Sequence, residues 1–358
     1  MKPTAELHKL GQSLWLDTIT REMLDNGTLE RYCEELSVTG LTSNPTIFDQ
    51  AIRTTQSYDH AIIEKSRQHK SDEALFLELA LEDLRRAAAL FRPVHDATNG
   101  IDGWVSLEVS PLLADDAAGT VKEARRLHAL AQCANIFIKI PGTPAGVRAI
   151  EESIYAGVPV NVTLLFSREQ YVAAANAYWR GIQRRIDASL DPKVHSVASI
   201  FISRWDKAVA GKVAPALANR LGIAVANQTY KTYLERFASG EWHKLLNAGA
   251  LPQRLLWAST GVKDPQLSES YYIEALAAPN TINTMPEKTL QNFSVQGQLR
   301  GAMREDGGDA ESILADFASQ GVDIPELAAQ LQVKGAQSFS KSWADLLSAI
   351  ASKRQSAK

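Results

Sequence analysis

The stretch NIFIKIPGTPAG, residues 135–146, places one lysine, Lys139, inside an apolar and β-branched run that ends in proline and glycine. A run of this kind is typical of a buried strand, where an ammonium group is expensive to desolvate. The lysine side chain either extends to reach water, or it is kept neutral because it acts as a nucleophile. Which of the two applies depends on the fold to which the run belongs.

Seven further β-rich runs accompany this one, and long amphipathic segments separate them. In chain order the eight predicted strands are SLWLDTI (13–19), VTGLTSNP (38–45), GWVSLEVS (103–110), NIFIKIPG (135–142), VPVNVTLLF (158–166), SVASIFIS (196–203), RLLWAST (254–260) and NTINTMP (280–286). Most are continuously apolar rather than alternating, which is typical of parallel strands covered on the outside by helices.

The segments between these runs have helical periodicity. Residues 71–93 carry apolar side chains three and four positions apart, and we expect their helix to end before Pro93. Residues 118–132 and 167–186 have the same pattern, and the second of these opens on a capping box between Ser167 and Gln170. Eight strands alternating with helices predict an α/β protein of the (β/α)8 TIM barrel type. An open doubly wound sheet is disfavoured because no glycine-rich dinucleotide-binding fingerprint follows the first strand.

The C-terminal part of the chain is predicted to be helical. Residues 309–321 and 335–353 have helical patterns that we expect to wrap the barrel. No stretch of the chain is long or polar enough to be a linker, so we expect a single barrel domain over residues 1–358, with a helical extension at about 287–358.

The composition is that of an ordinary globular enzyme, with 45% hydrophobic and 22% charged residues and a net charge of -3 over 358 residues. This balance gives no basic field, so we expect no nucleic-acid partner and interpret the basic tail, residues 352–358, as a solvated terminus. The N-terminus lacks an apolar leader, and the longest uncharged stretch, residues 153–167, is too short to span a bilayer. We expect a cytoplasmic protein without a membrane partner.

Neither a metal site nor a disulfide framework is predicted. Cys33 and Cys133 share no metal-like spacing with histidines, and no histidine, His195 included, forms a pair with metal-ligand spacing.

Three residues within the predicted strands are candidates for catalysis, because barrels of this kind carry their sites at the C-terminal strand ends. Burial generally lowers the pKa of a lysine, and a neutral amine such as that expected at Lys139 attacks carbonyl carbons. Asp17 ends the first run and could equally be a turn or N-cap aspartate, whereas Glu108 on a buried strand needs a partner or a task. A base and a nucleophilic amine on different strands suit reversible carbon–carbon bond chemistry around an iminium.

Polar side chains near the same strand ends are candidates for substrate binding. Asn161 and Thr163 share one face of an apolar strand, where the hydroxyls of a sugar-like ligand would satisfy them. Asn44 precedes a proline, where a turn residue is the more common role. Arg204 and Lys263 follow neighbouring strands, and together they indicate a phosphate site, although each alone could be a solvated surface cation.

At this point the sequence resembles a known family. Seven segments are similar to the strand-end motifs of class I, Schiff-base-forming transaldolases of the longer bacterial type. In chain order they are LWLDTI, GLTSNPTIF, SLEVSP, IFIKIPGTPAGVRAIE, VNVTLLFS, SIFISRWD and WASTGVK. The resemblance runs from about Leu14 to at least the eighth strand, and the pairing of IKIPGTPAG with VNVTLLFS is its most specific part. Two departures are Lys263, which stands offset where many members have arginine, and Ser203, which replaces a frequent glycine.

The resemblance implies a role for each candidate. Lys139 corresponds to the Schiff-base lysine, and Asp17 corresponds to the acid/base acting on the C4 hydroxyl of the donor. Glu108 corresponds to the carboxylate that relays protons through a water. The positions implied for substrate binding are Asn44, Asn161, Thr163 and Ser199 around the dihydroxyacetone unit, and Arg204, Ser259 and Lys263 around the sugar phosphate.

The implied reaction moves a dihydroxyacetone unit from sedoheptulose 7-phosphate to glyceraldehyde 3-phosphate, giving erythrose 4-phosphate and fructose 6-phosphate, without a metal or organic cofactor. The expected partners are these sugar phosphates, and the expected assembly is a monomer or homodimer. One alternative is an aldolase that releases free dihydroxyacetone, but members of that kind lack the glutamate on the third strand. Another is a non-catalytic barrel that binds sugar phosphates as a sensor or scaffold.

Overall fold

The computed structural model describes residues 1–67 and 70–355 of the chain, so the last three residues of the predicted basic tail lie outside the described residues. All eight predicted strands are present, each shorter than its predicted run. They are β1 (Ser13–Leu16), β2 (Val38–Leu41), β3 (Val105–Glu108), β4 (Ile136–Pro141), β5 (Val160–Leu165), β6 (Ser196–Phe201), β7 (Gln253–Ala258) and β8 (Ile282–Met285). Every pairing between them is parallel.

The sheet closes into a (β/α)8 TIM barrel, as predicted. Its strand order is β2-β1-β8-β7-β6-β5-β4-β3. The seam between β2 and β3 is joined by backbone hydrogen bonds from Gly103 to the Thr39 carbonyl (3.0 Å) and from Leu41 to the Trp104 carbonyl (2.9 Å). Gly40 is required at this seam, since a Cβ there would lie only 2.7 Å from the Trp104 carbonyl oxygen.

Helices cover the outside of the barrel in the described part of the chain. They are α1 (Pro3–Lys9), α2 (Arg21–Asp25), α3 (Thr28–Leu36), α4 (Pro45–Thr54), α5 (Asp59–Ser66), α6 (Asp72–Ala97), α7 (Ala117–Ala131), α8 (Pro144–Tyr155), α9 (Arg168–Asp187), α10 (Ser203–Val209), α11 (Leu221–Phe237), α12 (Gly240–Asn247), α13 (Tyr271–Ala275), α14 (Glu287–Gln296), α15 (Ala310–Ser319) and α16 (Ile324–Gln355). Short 3-10 helices span Pro111–Leu113 and Pro215–Leu217. The predicted capping box between Ser167 and Gln170 is present at α9.

The predicted end of α6 is wrong, because the helix continues past Pro93 to Ala97. Proline removes the hydrogen bond to the carbonyl four residues earlier, that of Ala89. Both residues are exposed, so water can satisfy the freed carbonyl. The final turn is held by Thr98, whose hydroxyl and backbone N–H both donate to the Val94 carbonyl.

The core has two layers, and β4 contributes to both. Ile136, Ile138 and Ile140 face outward and pack under the helices. Phe137 faces inward and joins Trp15 and Trp104 inside the barrel. This alternation is the period-2 geometry of a strand whose two faces are both buried.

The last helix, α16, crosses the C-terminal end of the barrel. Trp343 packs edge-on against Phe76 of α6, with ring centroids 5.2 Å apart. Gln332 donates hydrogen bonds to the carbonyls of Gly142 (2.9 Å) and Leu164 (3.0 Å). Gly142 directly follows β4, and Leu164 is the next-to-last residue of β5. The extension is therefore packed onto the end of the barrel where the site residues were predicted.

Among the described residues, no helix is long and apolar enough to cross a membrane. The same residues contain no group of three or more metal-ligating side chains.

Candidate active site

Lys139 lies at the centre of a row of polar residues inside the barrel. The β-sheet register pairs it with Glu108 on β3 and with Asn161 on β5. Residues paired in this way on parallel strands point to the same face of the sheet, which here is the barrel interior. The sequence therefore places all three side chains at one level of the barrel.

The Lys139 side chain does not reach solvent, which argues against the first of the two explanations for it, a side chain that extends to water. The residue is 4% exposed, and its Nζ donates to the Ser43 carbonyl at 2.9 Å. Glu108 Oε2 lies 3.3 Å from Nζ, and both side chains are buried. The Ser43 backbone is fixed in turn because its hydroxyl donates to the Ser106 carbonyl. A buried ion pair is weak support for stability, so this arrangement points to chemistry.

Glu108 is held in an environment that favours its protonated form. Burial raises its pKa, and the nearby Lys139 charge opposes that rise. Apart from Lys139 Nζ at 3.3 Å, its Oε2 has no partner in the described part of the chain, and Oγ1 of Thr163 has no hydrogen-bond partner there. Buried polar atoms normally have partners. Thr163 Oγ1 is therefore free to bind a hydroxyl of a substrate in the cavity, and Glu108 Oε2 can accept a further hydrogen bond from a water beside Lys139.

Asp17 follows β1 at the edge of the same space. It is not an N-cap, because Thr20 caps α2 by accepting a hydrogen bond from the backbone N–H of Met23. Its Oδ1 instead accepts a hydrogen bond from the Thr42 hydroxyl at 2.7 Å. Burial raises the pKa of Asp17, and the Lys139 charge and the Thr42 hydrogen bond counter part of this rise. A carboxylate with a raised pKa is suited to proton transfer near neutral pH.

A hydrogen-bond chain fixes the Asn161 amide. The Ser199 hydroxyl on β6 donates to its Oδ1 at 2.7 Å, and its Nδ2 donates to the Ser106 hydroxyl at 3.2 Å. Asn161 and Ser106 are fully buried and Ser199 nearly so, so the amide orientation is set by the protein.

Asn44 has the structural role that its position before a proline suggested, and it also faces the site. It is the N-cap of α4 and accepts a hydrogen bond from the Ile47 N–H, with Pro45 in the first turn. The residue also lines the cavity at the C-terminal end of the barrel, together with Lys139.

Two cations also line this cavity, Arg204 and Lys263. The Arg204 guanidinium carbon is 5.0 Å from the ring centre of Phe201 and 6.0 Å from that of Phe339. Burial lowers the pKa of Arg204, and the charges of Asp17 and Glu108 oppose the change. Within the described ranges, neither Arg204 nor Lys263 has a carboxylate within ion-pair distance. Both are therefore available to an anionic ligand.

The loop after β7 brings the second cation towards the first. Ser259 has φ of 55°, an unusual left-handed conformation for a residue other than glycine. Its carbonyl accepts the Ser203 N–H at 3.0 Å, and the two hydroxyls lie 3.1 Å apart. The predicted phosphate-binding residues thus line the same cavity, and Ser203 holds the Ser259 loop in place beside Arg204.

The cavity itself has a volume of about 130 Å³ and opens at the C-terminal end of the barrel. Glu108 and Asn161 are not among the residues that line the cavity, although they flank Lys139 on the neighbouring strands. The predicted residues on the wall are Asp17, Asn44, Lys139, Thr163, Ser199, Arg204, Ser259 and Lys263.

Other wall residues were not predicted. Thr42 and Thr284 lie at strand ends, and their hydroxyls are 2.7 Å apart, so their position in the pattern was a usable signal. Phe339 on α16 carried no such signal, because its sequence shows only an amphipathic helix.

Comparison with known proteins gives a consistent family match. The sequence model of the family described as transaldolase/fructose-6-phosphate aldolase matches residues 14–350. A transaldolase of Frankia alni is 42% identical over 359 residues, covering 98% of this chain and 96% of its own. A transaldolase of Thiobacillus denitrificans is 41% identical over 358 residues, covering 98% of this chain and all of its own. One of an Arthrobacter species is 41% identical over 354 residues, covering 96% of this chain and 95% of its own.

Proposed function

The chain belongs to the transaldolase/fructose-6-phosphate aldolase family and is a transferase of the transaldolase type, and we propose that it works through a Schiff base on Lys139. The donor proposed is sedoheptulose 7-phosphate and the acceptor is glyceraldehyde 3-phosphate. The observation that carries the proposal is the buried Lys139 amine, 3.3 Å from Glu108 and facing a cavity with two unpaired cations.

Substrate binding starts from the charged end of the cavity. Arg204, Ser259 and Lys263 bind the donor phosphate, since a guanidinium, a hydroxyl and an ammonium are all donors to phosphate oxygens. With the phosphate held there, the carbonyl carbon of the donor is directed towards Lys139 at the other end. Binding energy from the phosphate thereby orients the reacting atoms.

The first chemical step forms the iminium. The Lys139 amine, once its proton has passed to Glu108, attacks the C2 carbonyl and gives a carbinolamine, which loses water. Glu108 takes and returns the protons of this step through a water, because its carboxylate lies beside Nζ and its Oε2 has no other partner in the described chain. Asn161 and Thr163 bind the hydroxyls of the three-carbon unit.

The second step breaks the C3–C4 bond. Asp17 takes the proton of the C4 hydroxyl, the bond electrons move to the iminium, and erythrose 4-phosphate leaves. The enamine that remains on Lys139 is shielded by the barrel interior, which disfavours its hydrolysis. It then attacks the acceptor aldehyde, Asp17 returns the proton, and hydrolysis of the new iminium releases fructose 6-phosphate.

The experiment that tests this proposal traps the intermediate. The protein is incubated with fructose 6-phosphate, reduced with borohydride, and mapped by peptide mass spectrometry. We expect a three-carbon adduct on Lys139 and none in Lys139→Ala. No adduct on any lysine would overturn the Schiff-base proposal and favour a barrel that only binds sugar phosphates.

A second assay separates transfer from aldol cleavage. Turnover of fructose 6-phosphate is measured with and without erythrose 4-phosphate as acceptor. We expect slow turnover without it, in keeping with Glu108 on β3. Equal rates would instead indicate an aldolase. A single domain over residues 1–358, a cytoplasmic location and a monomeric or homodimeric state stay predictions.

A further inference from the structure

A second cavity, of about 530 Å³, lies at the N-terminal mouth of the barrel, opposite the candidate active site. Residues at the starts of β1, β4, β6 and β7 line it, together with parts of α11 and α12. Its volume is in the range of small-molecule sites, roughly 300–1,000 Å³. This end of a TIM barrel ordinarily serves stability, so a cavity of this size there calls for an explanation.

Two aromatic walls shape this cavity. Trp104 and Phe137 stack with ring centroids 4.1 Å apart and form the wall that faces the barrel interior. Phe237 packs edge-on against Tyr233 (4.7 Å) and Trp242 (4.9 Å) and forms the wall on the helices. Rings held by such mutual contacts lose little freedom when a flat apolar molecule packs against them.

One buried cation faces the space between the walls. Arg254 is 8% exposed, and its Nη2 donates to the Ser13 hydroxyl (2.8 Å) and the Thr281 carbonyl (2.9 Å). Nη1 donates to the Ile101 carbonyl (2.9 Å) and Nε to the Asn280 carbonyl (3.4 Å). One N–H of Nη1 has no acceptor among the described residues.

These acceptors are all neutral, so the guanidinium has no direct ion pair; burial lowers its pKa, and the charge of Asp102 opposes that change from a distance. Within the described ranges no carboxylate lies within ion-pair distance of Arg254. Asp102 also lines the cavity, but its Oδ1 is occupied by hydrogen bonds from Trp15 Nε1 (2.8 Å) and the Gly103 N–H (3.0 Å). Because buried charges are normally paired, an anionic group from a ligand would give Arg254 the direct partner that Asp102, beyond ion-pair distance, does not supply.

Two histidines line the cavity, the exposed His8 and the half-buried His195, and His195 adds no competing charge. Burial lowers the pKa of His195 to about 4, and His95 contributes to the lowering. The ring is therefore neutral at pH 7, and it lies 4.9 Å from the Trp104 ring. Its neutral imidazole can accept or donate one hydrogen bond to a ligand.

We propose that this cavity binds a small, flat, apolar molecule that carries one anionic group, such as an aromatic carboxylate or sulfonate. Its rings pack between the two aromatic walls, and its anion binds the free N–H of Arg254. The site is independent of the proposed Schiff-base chemistry, since it lies at the other end of the barrel.

The test uses the full-length protein and 8-anilinonaphthalene-1-sulfonate, a fluorescent aromatic sulfonate. Leu246→Asp places a negative charge at the rim of the cavity, where Leu246 is 47% exposed. Leu130→Asp is the matched control, since Leu130 is 41% exposed and lies outside this cavity. We expect saturable one-to-one binding that Leu246→Asp weakens about tenfold and Leu130→Asp leaves unchanged. Binding that does not saturate, or equal affinities of both variants, would overturn the proposal.

The charge requirement and the location are tested separately. N-phenyl-1-naphthylamine has the same rings without the sulfonate, and we expect the wild type to bind it about tenfold more weakly. Arg254→Met should remove this preference; where that variant does not fold, the wild-type comparison decides alone. Equal affinity for the two probes contradicts the anion site. Displacement of the sulfonate probe by fructose 6-phosphate would place the probe in the active-site cavity and also contradict the proposal.

Discussion

The guanidinium carbon of Arg204 lies 6.0 Å from the ring centre of Phe339, which α16 carries across the end of the barrel. A Cβ on Gly335, one helical turn earlier, would lie 3.2 Å from Nη1 of the same arginine. The last helix therefore forms part of the environment of the proposed phosphate-binding cation. It also gives the site a wall that the barrel strands do not supply.

Phe339→Leu should raise the KM for fructose 6-phosphate about two- to fivefold, because a cation–π contact contributes about 0.5–1 kcal/mol. The kcat should stay near the wild-type value, since the ring contacts Arg204, which takes no part in the proposed bond-making and bond-breaking steps. Steady-state kinetics check this, with unphosphorylated fructose as the control donor. A KM that rises equally for both donors would show that Phe339 does not act through the phosphate site.

Asp17→Asn should form the Schiff base but fail to cleave the C3–C4 bond, because an amide cannot take the proton of the C4 hydroxyl. We expect kcat to fall by about 10²–10⁴. Borohydride trapping with fructose 6-phosphate should then give a six-carbon adduct on Lys139 instead of a three-carbon adduct. If the three-carbon adduct forms at the wild-type rate, Asp17 is not the base.

The same substitution should stabilise the fold at neutral pH. The folded pKa of Asp17 lies above its ordinary value of 3.8, so the folded state holds the proton more tightly than the unfolded state. Stability from this group is therefore lost as the pH rises from 3.8 through the raised pKa. Urea unfolding of Asp17→Asn should give a larger gain over wild type at pH 8 than at pH 3.5. An equal gain at both pH values would mean that ionisation of Asp17 is not the cause.

Gln332→Leu should lower the free energy of unfolding by about 2 kcal/mol or more, because it leaves the Gly142 and Leu164 carbonyls without their side-chain donor. We expect Leu164 to add to this loss. Its backbone has φ of 57°, an unfavourable left-handed conformation that the hydrogen bond from Gln332 to its carbonyl helps to hold. Chemical denaturation measures the change. Gln330→Leu on the exposed face of α16 is the control and should cost little; equal losses would point to a general effect on the helix.

The strands and the central polar row were predictable because their signals are local. Each strand is a short apolar run between turn residues, and Glu108, Lys139 and Asn161 interrupt such runs with charge or polarity. The end of α6 was predicted wrongly because the rule for proline takes no account of which side of the helix faces water. On the exposed side, the lost hydrogen bond at Pro93 costs less.

Other parts of the site could not be predicted, because they depend on contacts between distant segments. Gln332 and Phe339 lie in a long amphipathic helix, and no sequence pattern indicates that this helix crosses the end of the barrel. Asn44 illustrates a different limit, since one side chain both caps α4 and lines the cavity. The turn interpretation of Asn44 is confirmed, and its role in substrate binding stays a prediction.

Strand β4 presents Phe137 to the cavity at the N-terminal mouth of the barrel and Lys139, two residues later, to the active-site cavity at the C-terminal end. A slip of one residue in its pairing would turn both side chains out of the barrel and bring the isoleucines in. A change in the register of β4 that suited one cavity would therefore remove the side chain that β4 contributes to the other cavity. Whatever each cavity binds, the two are inherited as a unit through this strand.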